Sequence, residues 1–163
     1  KKTIISMMVC ALRRQKLAFD YALTSKVDSL PNRIHLSYEA RIALIEGDEH
    51  ITSALDKRFQ LEFYRPHIAI LTNLSWSTET DHATQLAGDV RSDITAIPFE
   101  EHPVVEKDGQ TFLHTRYGDY PVRIPNRYFL INLNAARLAC RQLGVKDADF
   151  YQALSEYSLS LPI

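Results

Sequence analysis

Three carboxylates follow directly after an apolar run in the first third of the sequence. Residues 41–45 (RIALI) have strand character, and Glu46, Asp48 and Glu49 come next, around Gly47. A solvated turn would account for this cluster, since most groups of acidic residues lie at the protein surface. Carboxylates at the end of a buried strand would also suit a metal or phosphate site at the edge of a sheet, because hard cations prefer oxygen ligands. The residue types leave both interpretations open.

The histidines and cysteines show no spacing typical of a metal or nucleophile site. No two of the six histidines share a predicted helix at metal-binding spacing, and no nucleophile-elbow glycine pattern occurs, although a Ser-His-Asp or Cys-His site assembled by the fold stays open. Cys10 and Cys140 lie in predicted helices and are expected to be buried free thiols, as in a reducing compartment. His35 and His67 are expected to be structural residues in strands. The histidines expected to face solvent are His50, His102 and His114.

The composition predicts one globular domain. A chain of 163 residues is long enough to bury a sizeable core. Its formal net charge is -1 and no block of like charge occurs, which argues against nonspecific binding to nucleic acid or membranes. No apolar run approaches the length that spans a bilayer, and Ser6 interrupts the apolar stretch after the basic start, unlike a signal peptide. We therefore predict a cytoplasmic protein.

Helices and strands are predicted to alternate in the first half of the chain. Ile5, Met8, Val9 and Leu12 recur at helical spacing, and residues 41–45 form a continuous apolar run, as in a strand covered on both faces. This alternation favours βαβ units and a mainly parallel sheet flanked by helices. The predicted helices cover residues 3–16 and 51–63, and the predicted strands cover 19–24, 33–36, 41–45 and 67–73.

The second half predicts a small antiparallel hairpin sheet followed by two helices. Asp108-Gly109 is a strong hairpin signal between strands at 103–106 and 111–115. Gly144 is well placed as the C-terminal cap of the first closing helix. Further predicted segments are a polar loop or short helix at 77–92 and strands at 94–99 and 120–124.

Apolar residues at helical spacing define the two closing helices. Asp147 is expected to cap the start of the second one. The predicted inner faces consist of Phe129, Leu133, Ala136, Cys140 and Leu143 in the first helix and of Phe150, Leu154 and Tyr157 in the second.

The order of several segments resembles the central, ATP-binding domain of the Mur ligase family, and within it the murein peptide ligase branch. Residues 91–115 match the hairpin region of that branch, and the similarity covers most of the chain. The resemblance implies a P-loop-type α/β fold, with residues 1–163 as one unit. The four stretches that carry it are KKTIISMMVCAL (1–12), LIEGDEHITSALDKRF (44–59), YRPHIAILTNLSW (64–76) and NLNAARLACRQLGVKDADFYQALSEY (132–157).

The resemblance implies a ligase that activates a carboxylate with ATP and lets an amine attack the acyl phosphate. Such catalysis is mostly placement and electrostatics. By position, Lys2 would reach the outer phosphates, Thr3 and Glu46 would meet Mg2+, and Asn132 would lie at the nucleotide. The implied cofactors are ATP and Mg2+, and the implied substrates are UDP-N-acetylmuramate and a cell-wall tripeptide.

The sequence departs from the family pattern at three places. Lys1 stands where the phosphate loop has its last glycine, so the first strand and most of that loop are expected to be missing. Ser77-Thr78 replaces an Asp-His pair, of which Asp81-His82 is a displaced candidate, with His82 as a second metal ligand. Tyr128-Phe129 replaces a His-Asn pair; it could stack on a base, but Phe129 is better explained as core.

These departures predict that this chain alone does not turn over. The alternatives are a noncatalytic module that binds a nucleotide or a muropeptide, and a truncated pseudoenzyme. Tyr128, Tyr117 and Tyr120 are the aromatic residues expected on the nucleotide side. A sheet edge left open by a missing first strand also predicts a homodimer.

Overall fold

The computed structural model of the chain describes residues 2–47, 53, 55, 63–70, 72, 94–122 and 126–157. Among these residues, no helix is long and apolar enough to cross a membrane. The helices are α1 (Lys2–Arg14), α2 (Arg127–Gln142) and α3 (Asp147–Tyr157), and the strands are β1 (Phe19–Ala22), β2 (Ile34–His35), β3 (Ile42–Ile45), β4 (Ile68–Ile70), β5 (Thr95–Ile97), β6 (Val104–Lys107), β7 (Gln110–Thr115) and β8 (Gly118–Pro121).

Helix α1 is the central element of the core. The stripe predicted from its sequence is buried, namely Ile5, Met8, Val9 and Leu12. The neighbouring face is buried as well, because α1 packs against both α2 and α3. That second face consists of Ile4, Met7 and Ala11.

The first sheet joins one antiparallel and one parallel pair of strands. Strand β1 lies in the middle, antiparallel to β2 and parallel to β3 in the register Phe19↔Ile42 to Ala22↔Ile45. Strands β4 and β5 form a second parallel pair. Parallel pairing as predicted therefore occurs in the described strands, whereas one mainly parallel sheet of P-loop type stays a prediction.

Strand β3 is covered on one face only, so the prediction that both faces are buried is wrong. Leu44 is buried, whereas Ile45 on the opposite face is 45% exposed. The strand alternates between inner and outer residues, as in a sheet with one solvated face. Strand β3 is also the last strand in the order β2-β1-β3, and in the described part of the chain no further strand pairs with it.

The predicted hairpin is confirmed. Asp108 and Gly109 have φ values of 52° and 74°, and Lys107 pairs with Gln110 across the two-residue turn. Two consecutive positive φ values are typical of the turn whose twist matches that of the strands. Strand β8 adds to β7 and completes a three-stranded antiparallel sheet.

The end of helix α2 follows the cap predicted at Gly144. This residue has a φ of 89°, its N–H donates to the Arg141 carbonyl at 3.0 Å, and the Val145 N–H donates to the Cys140 carbonyl at 3.0 Å. These two bonds are the pair found where a left-handed residue ends a helix. At the other end, the Asn126 side chain accepts from the Phe129 N–H at 2.8 Å.

Neither cysteine forms a disulfide, as predicted; Cys140 is buried, as expected, whereas Cys10 is only half-buried. Burial raises the pKa of the Cys140 thiol to about 12. The remaining predictions on local structure fall largely outside the described residues: the helix at 51–63, of which only 53, 55 and 63 are described, and the polar segment at 77–92.

Candidate functional site

Glu46 lies at the carboxyl end of β3, beside the loop that follows β1. Because the two strands are parallel, both loops start at the same edge of the sheet. The Glu46 carboxylate is buried, and its Oε2 accepts from the N–H of Thr24 at 3.0 Å and of Ser25 at 2.8 Å. The Ser25 hydroxyl donates to Oε1 at 3.2 Å. The first carboxylate of the acidic cluster is therefore a fixed residue of the sheet edge, while Asp48 and Glu49 lie outside the described residues.

These hydrogen bonds keep Glu46 ionised. Burial alone would raise the pKa of the carboxyl group, but the donors from Ser25 and Thr24 outweigh it and hold that pKa below its ordinary value. A carboxylate has about four acceptor positions. Two backbone N–H groups and the Ser25 hydroxyl donate to it, and the Thr24 side chain contributes a further hydrogen bond. A buried, ionised carboxylate at this edge suits a hard cation and equally allows a purely structural role.

The residues predicted to bind phosphate and nucleotide make no direct contact with Glu46 among the described hydrogen bonds and ion pairs. Lys2 and Thr3 are exposed at the start of α1, and the Lys2 Nζ lies 3.8 Å from Asp28 Oδ2 on the surface. Asn132 is half-buried on α2. Across the described ranges, no hydrogen bond or ion pair joins any of these three to Glu46.

The metal prediction rests on Glu46, since His82 lies outside the described residues. In the part of the chain that the structure covers, no group of three or more His, Cys, Asp or Glu side chains converges. Magnesium sites often use only one or two carboxylates and complete their shell with substrate phosphate and water. Glu46 fits such a ligand, because it is ionised and its position at the sheet edge is fixed by hydrogen bonds.

The aromatic pair Tyr128-Phe129 separates into two roles. Phe129 packs against the core, as predicted, and Tyr128 is 81% exposed. Tyr120 stacks on Tyr151 with ring centroids 5.1 Å apart. Tyr117 lies under the Arg116 guanidinium at 4.8 Å. Tyr128 is therefore the member of the predicted aromatic set with the most freely exposed ring.

His102 is 3% exposed, so the prediction that it faces solvent is wrong. Its Nδ1 lies 2.8 Å from the Pro103 carbonyl oxygen, and its Nε2 lies 2.7 Å from the Tyr151 hydroxyl. Burial lowers the pKa of His102 and raises that of Tyr151 to about 12. In the neutral ring, the Nδ1–H donates a hydrogen bond to the Pro103 carbonyl, and Nε2 accepts a hydrogen bond from the Tyr151 hydroxyl. A single histidine before a strand shows no sequence periodicity that would indicate burial. Its contact with Tyr151 of α3 is what shows that it is buried.

Asp147 holds two arginines at the junction of α2 and α3. It was predicted to cap α3, but it lies inside the first turn, and its carboxylate binds Arg137 Nη1 at 2.7 Å and Arg141 Nε at 3.0 Å. Burial would raise the pKa of Asp147, but the two guanidinium groups outweigh it and lower that pKa. The two arginines lie one turn apart on α2, and the first residue of α3 is an aspartate. This pattern of two arginines followed by an aspartate is the sequence signal that was missed.

Comparisons with known proteins place this chain by its fold. A scan against protein-family models gave no match, and neither did a search of curated proteins. Among solved structures, the chain is similar to the UDP-N-acetylmuramate:L-alanyl-gamma-D-glutamyl-meso-diaminopimelate ligase of Neisseria meningitides, with a TM-score of 0.68 and 18% identity over 95% of this chain and 62% of that one. A murein peptide ligase of Psychrobacter arcticus 273-4 aligns with a TM-score of 0.62 and 18% identity, over 95% of this chain and 44% of that one.

The chain thus has a mixed α/β fold similar to that of Mur ligases, in agreement with the resemblance found in its sequence. It spans less than two thirds of the length of either solved chain, 62% of one and 44% of the other. At 18% identity, the likeness establishes the fold and leaves the chemistry to the residues themselves.

Proposed function

We propose that the chain is a central, nucleotide-binding domain of the Mur ligase type, related to enzymes that join UDP-N-acetylmuramate to a cell-wall peptide. The observation that carries this proposal is Glu46, an ionised and buried carboxylate at the edge where β1 and β3 both end. In open α/β sheets, ligands bind outside the carboxyl ends of the strands. The similarity of the fold to murein peptide ligases supports the same assignment.

In this proposal each residue has a simple electrostatic task. Mg-ATP supplies the phosphoryl group that activates a carboxylate. Lys2 would offset the negative charge of the outer phosphates, and the Glu46 carboxylate would bind the metal, with the Thr3 hydroxyl as a further oxygen ligand. Asn132 supplies an amide to the nucleotide. Ser25 and Thr24 hold Glu46 in place.

A noncatalytic binding module is the second candidate, and a specific observation favours it. Where the family pattern has a His-Asn pair, Phe129 is packed against the core and Tyr128 presents an 81% exposed ring. An exposed aromatic ring can stack on a nucleobase without any contribution to catalysis. Such a module would bind a nucleotide or a muropeptide and would not turn over.

Thermal unfolding with Mg-ATP tests the first candidate. A ligand that binds only the folded chain raises the melting temperature, and a concentration of 100 times Kd adds about 2.7 kcal/mol. We expect Mg-ATP to stabilise the wild type, Glu46→Gln to remove the magnesium dependence, and Lys2→Gln to weaken the response. The exposed Lys146→Gln is the matched control and should respond as the wild type does.

The same samples separate the two candidates. Stabilisation by ATP that is independent of magnesium and lost in Tyr128→Ala would favour the binding module. A melt that is shifted by none of Mg-ATP, UDP-N-acetylmuramate and a muropeptide would refute both. The predicted homodimer is a separate proposal, which light scattering at high concentration checks.

A further inference from the structure

A cavity lies where the antiparallel sheet of β6, β7 and β8 meets the junction of α2 and α3. None of its lining residues belongs to β3. Its volume is about 420 Å³, within the usual range for small-ligand pockets, roughly 300 to 1,000 Å³. Its walls come from three separate parts of the chain, and they carry three arginines and one carboxylate. The lining consists of His102, Pro103, His114, Thr115, Arg116, Tyr117, Arg137, Arg141, Asp147 and Tyr151.

Two arginines on the floor of this cavity are fixed before any ligand arrives. Arg137 donates from Nε and Nη2 to Asn134 Oδ1, at 3.2 and 2.7 Å, and from Nη1 to Asp147. Asn134 is buried and is itself held by the Glu100 carbonyl at 3.0 Å. Arg141 makes a two-pronged contact with Asp147 through Nε and Nη2. These contacts order both side chains in advance, which lowers the entropic cost of binding a ligand.

Both arginines keep unused donors. A guanidinium group has five N–H donors in a rigid fork. Contacts with described residues engage three of them in Arg137 and two in Arg141. Both side chains line the cavity, so donors that the described residues leave unused can serve a ligand inside it.

The cavity carries net positive charge. Asp147 neutralises one of the two floor arginines, and Arg116 at the exposed rim adds a further cation beside the Tyr117 ring. Burial lowers the pKa of His102, which favours the neutral ring, and its hydrogen bonds to the Pro103 carbonyl and the Tyr151 hydroxyl are compatible with that form. His114 on the rim faces Asp119, which also pairs with Lys107, so that group adds little net charge. The balance favours a ligand with about two negative charges.

A phosphate monoester matches this arrangement. It carries a charge of about −1.5 to −2 at neutral pH and presents three strong acceptor oxygens. A guanidinium group binds two such oxygens at once. A carboxylate has only two oxygens and can fill one such bidentate site, whereas a phosphate has three. We propose that this cavity binds a small molecule bearing a phosphate monoester, whose oxygens are held by Arg137, Arg141 and Arg116.

Phenyl phosphate is the probe for the test, and the readout is an amide NMR titration of the full chain. We expect saturable shifts in the turn that joins β7 to β8 and at the junction of α2 and α3, and weaker binding of benzoate, by about tenfold or more. Arg116→Gln and Arg141→Gln should each lower the affinity for phenyl phosphate by about tenfold, because hydrogen bonds between charged groups are stronger than those between neutral ones. Arg141→Lys, which keeps the charge and loses the fork, should fall between.

Arg127→Gln is the matched control, because it removes the same charge from α2 outside the cavity and should bind as the wild type does. Arg116 is exposed, so its variant is informative even where Arg141→Gln is unstable. Equal affinity for benzoate, or shifts that do not saturate, would overturn the proposal. Displacement of phenyl phosphate by Mg-ATP would also overturn it as a site separate from the nucleotide.

Discussion

Tyr151→Phe is a sharp test of the contact that buries His102. The change removes the hydroxyl oxygen that lies 2.7 Å from His102 Nε2 and leaves the ring in place. The ring should keep its stacking on Tyr120, at 5.1 Å, and its edge contact with Phe150, at 6.0 Å. The loss therefore falls on one hydrogen bond rather than on packing.

The magnitude follows from burial at both ends of that bond. His102 and Tyr151 are each 3% exposed, so the change leaves a largely buried acceptor at His102 Nε2. A buried acceptor left without a donor costs about 1 to 3 kcal/mol. For a domain of this size, each 1 kcal/mol corresponds to about 2 to 4 °C in melting temperature. We expect a loss of about 2 kcal/mol in the free energy of unfolding.

Urea unfolding followed by circular dichroism measures this loss. The midpoint should fall at an unchanged slope, since the folded state is still compact. Tyr128→Phe is the matched control: its ring is 81% exposed, and the change should stay within about 0.5 kcal/mol. Equal stabilities of Tyr151→Phe and Tyr128→Phe would refute the reasoning.

Three further predictions concern protonation and burial. Because burial lowers the pKa of His102 below its ordinary 6.5, stability should fall as the pH drops below that value, and a urea series in His102→Gln should lack this slope. Asp147→Asn leaves Arg137, whose side chain is 14% exposed, without its carboxylate partner, and should lower the free energy of unfolding in urea by about 3 kcal/mol. In the wild type, the lowered pKa of Asp147 predicts a further loss of stability as the pH falls below 3.8, the ordinary value of that group. An Asp147→Asn variant as stable as the wild type would contradict the account. Cys140, buried and with a pKa raised to about 12, should react with a thiol reagent far more slowly than Cys10, as mass spectrometry of Cys10→Ser and Cys140→Ser variants would show.

Local signals predicted local structure well. The positive φ values at Asp108, Gly109 and Gly144 come from short patterns with their own steric cause, and the stripe of α1 comes from helical spacing. These features depend on neighbours within a few residues, so the sequence contains them directly. The order of the segments also pointed to the fold that the solved murein peptide ligases share.

Contacts between distant segments could not be predicted in the same way. His102 reaches Tyr151 across 49 residues, and Glu46 takes its donors from residues 21 and 22 positions earlier. No periodicity encodes such pairs. The exposed face of β3 was missed for a similar reason, because the apolar run at 41–45 is the same whether one face or both are covered.

The most direct test of the central claim uses Mn2+ as a paramagnetic substitute for Mg2+. If Glu46 is a metal ligand of a nucleotide site, Mn2+ together with ATP should broaden the amide signals of Thr24 and Ser25, whose N–H groups lie 3.0 and 2.8 Å from its carboxylate oxygen. Glu46→Gln should restore sharp signals under the same conditions. Sharp Thr24 and Ser25 signals in the wild type at saturating Mn-ATP, or broadening that persists in Glu46→Gln, would contradict the account.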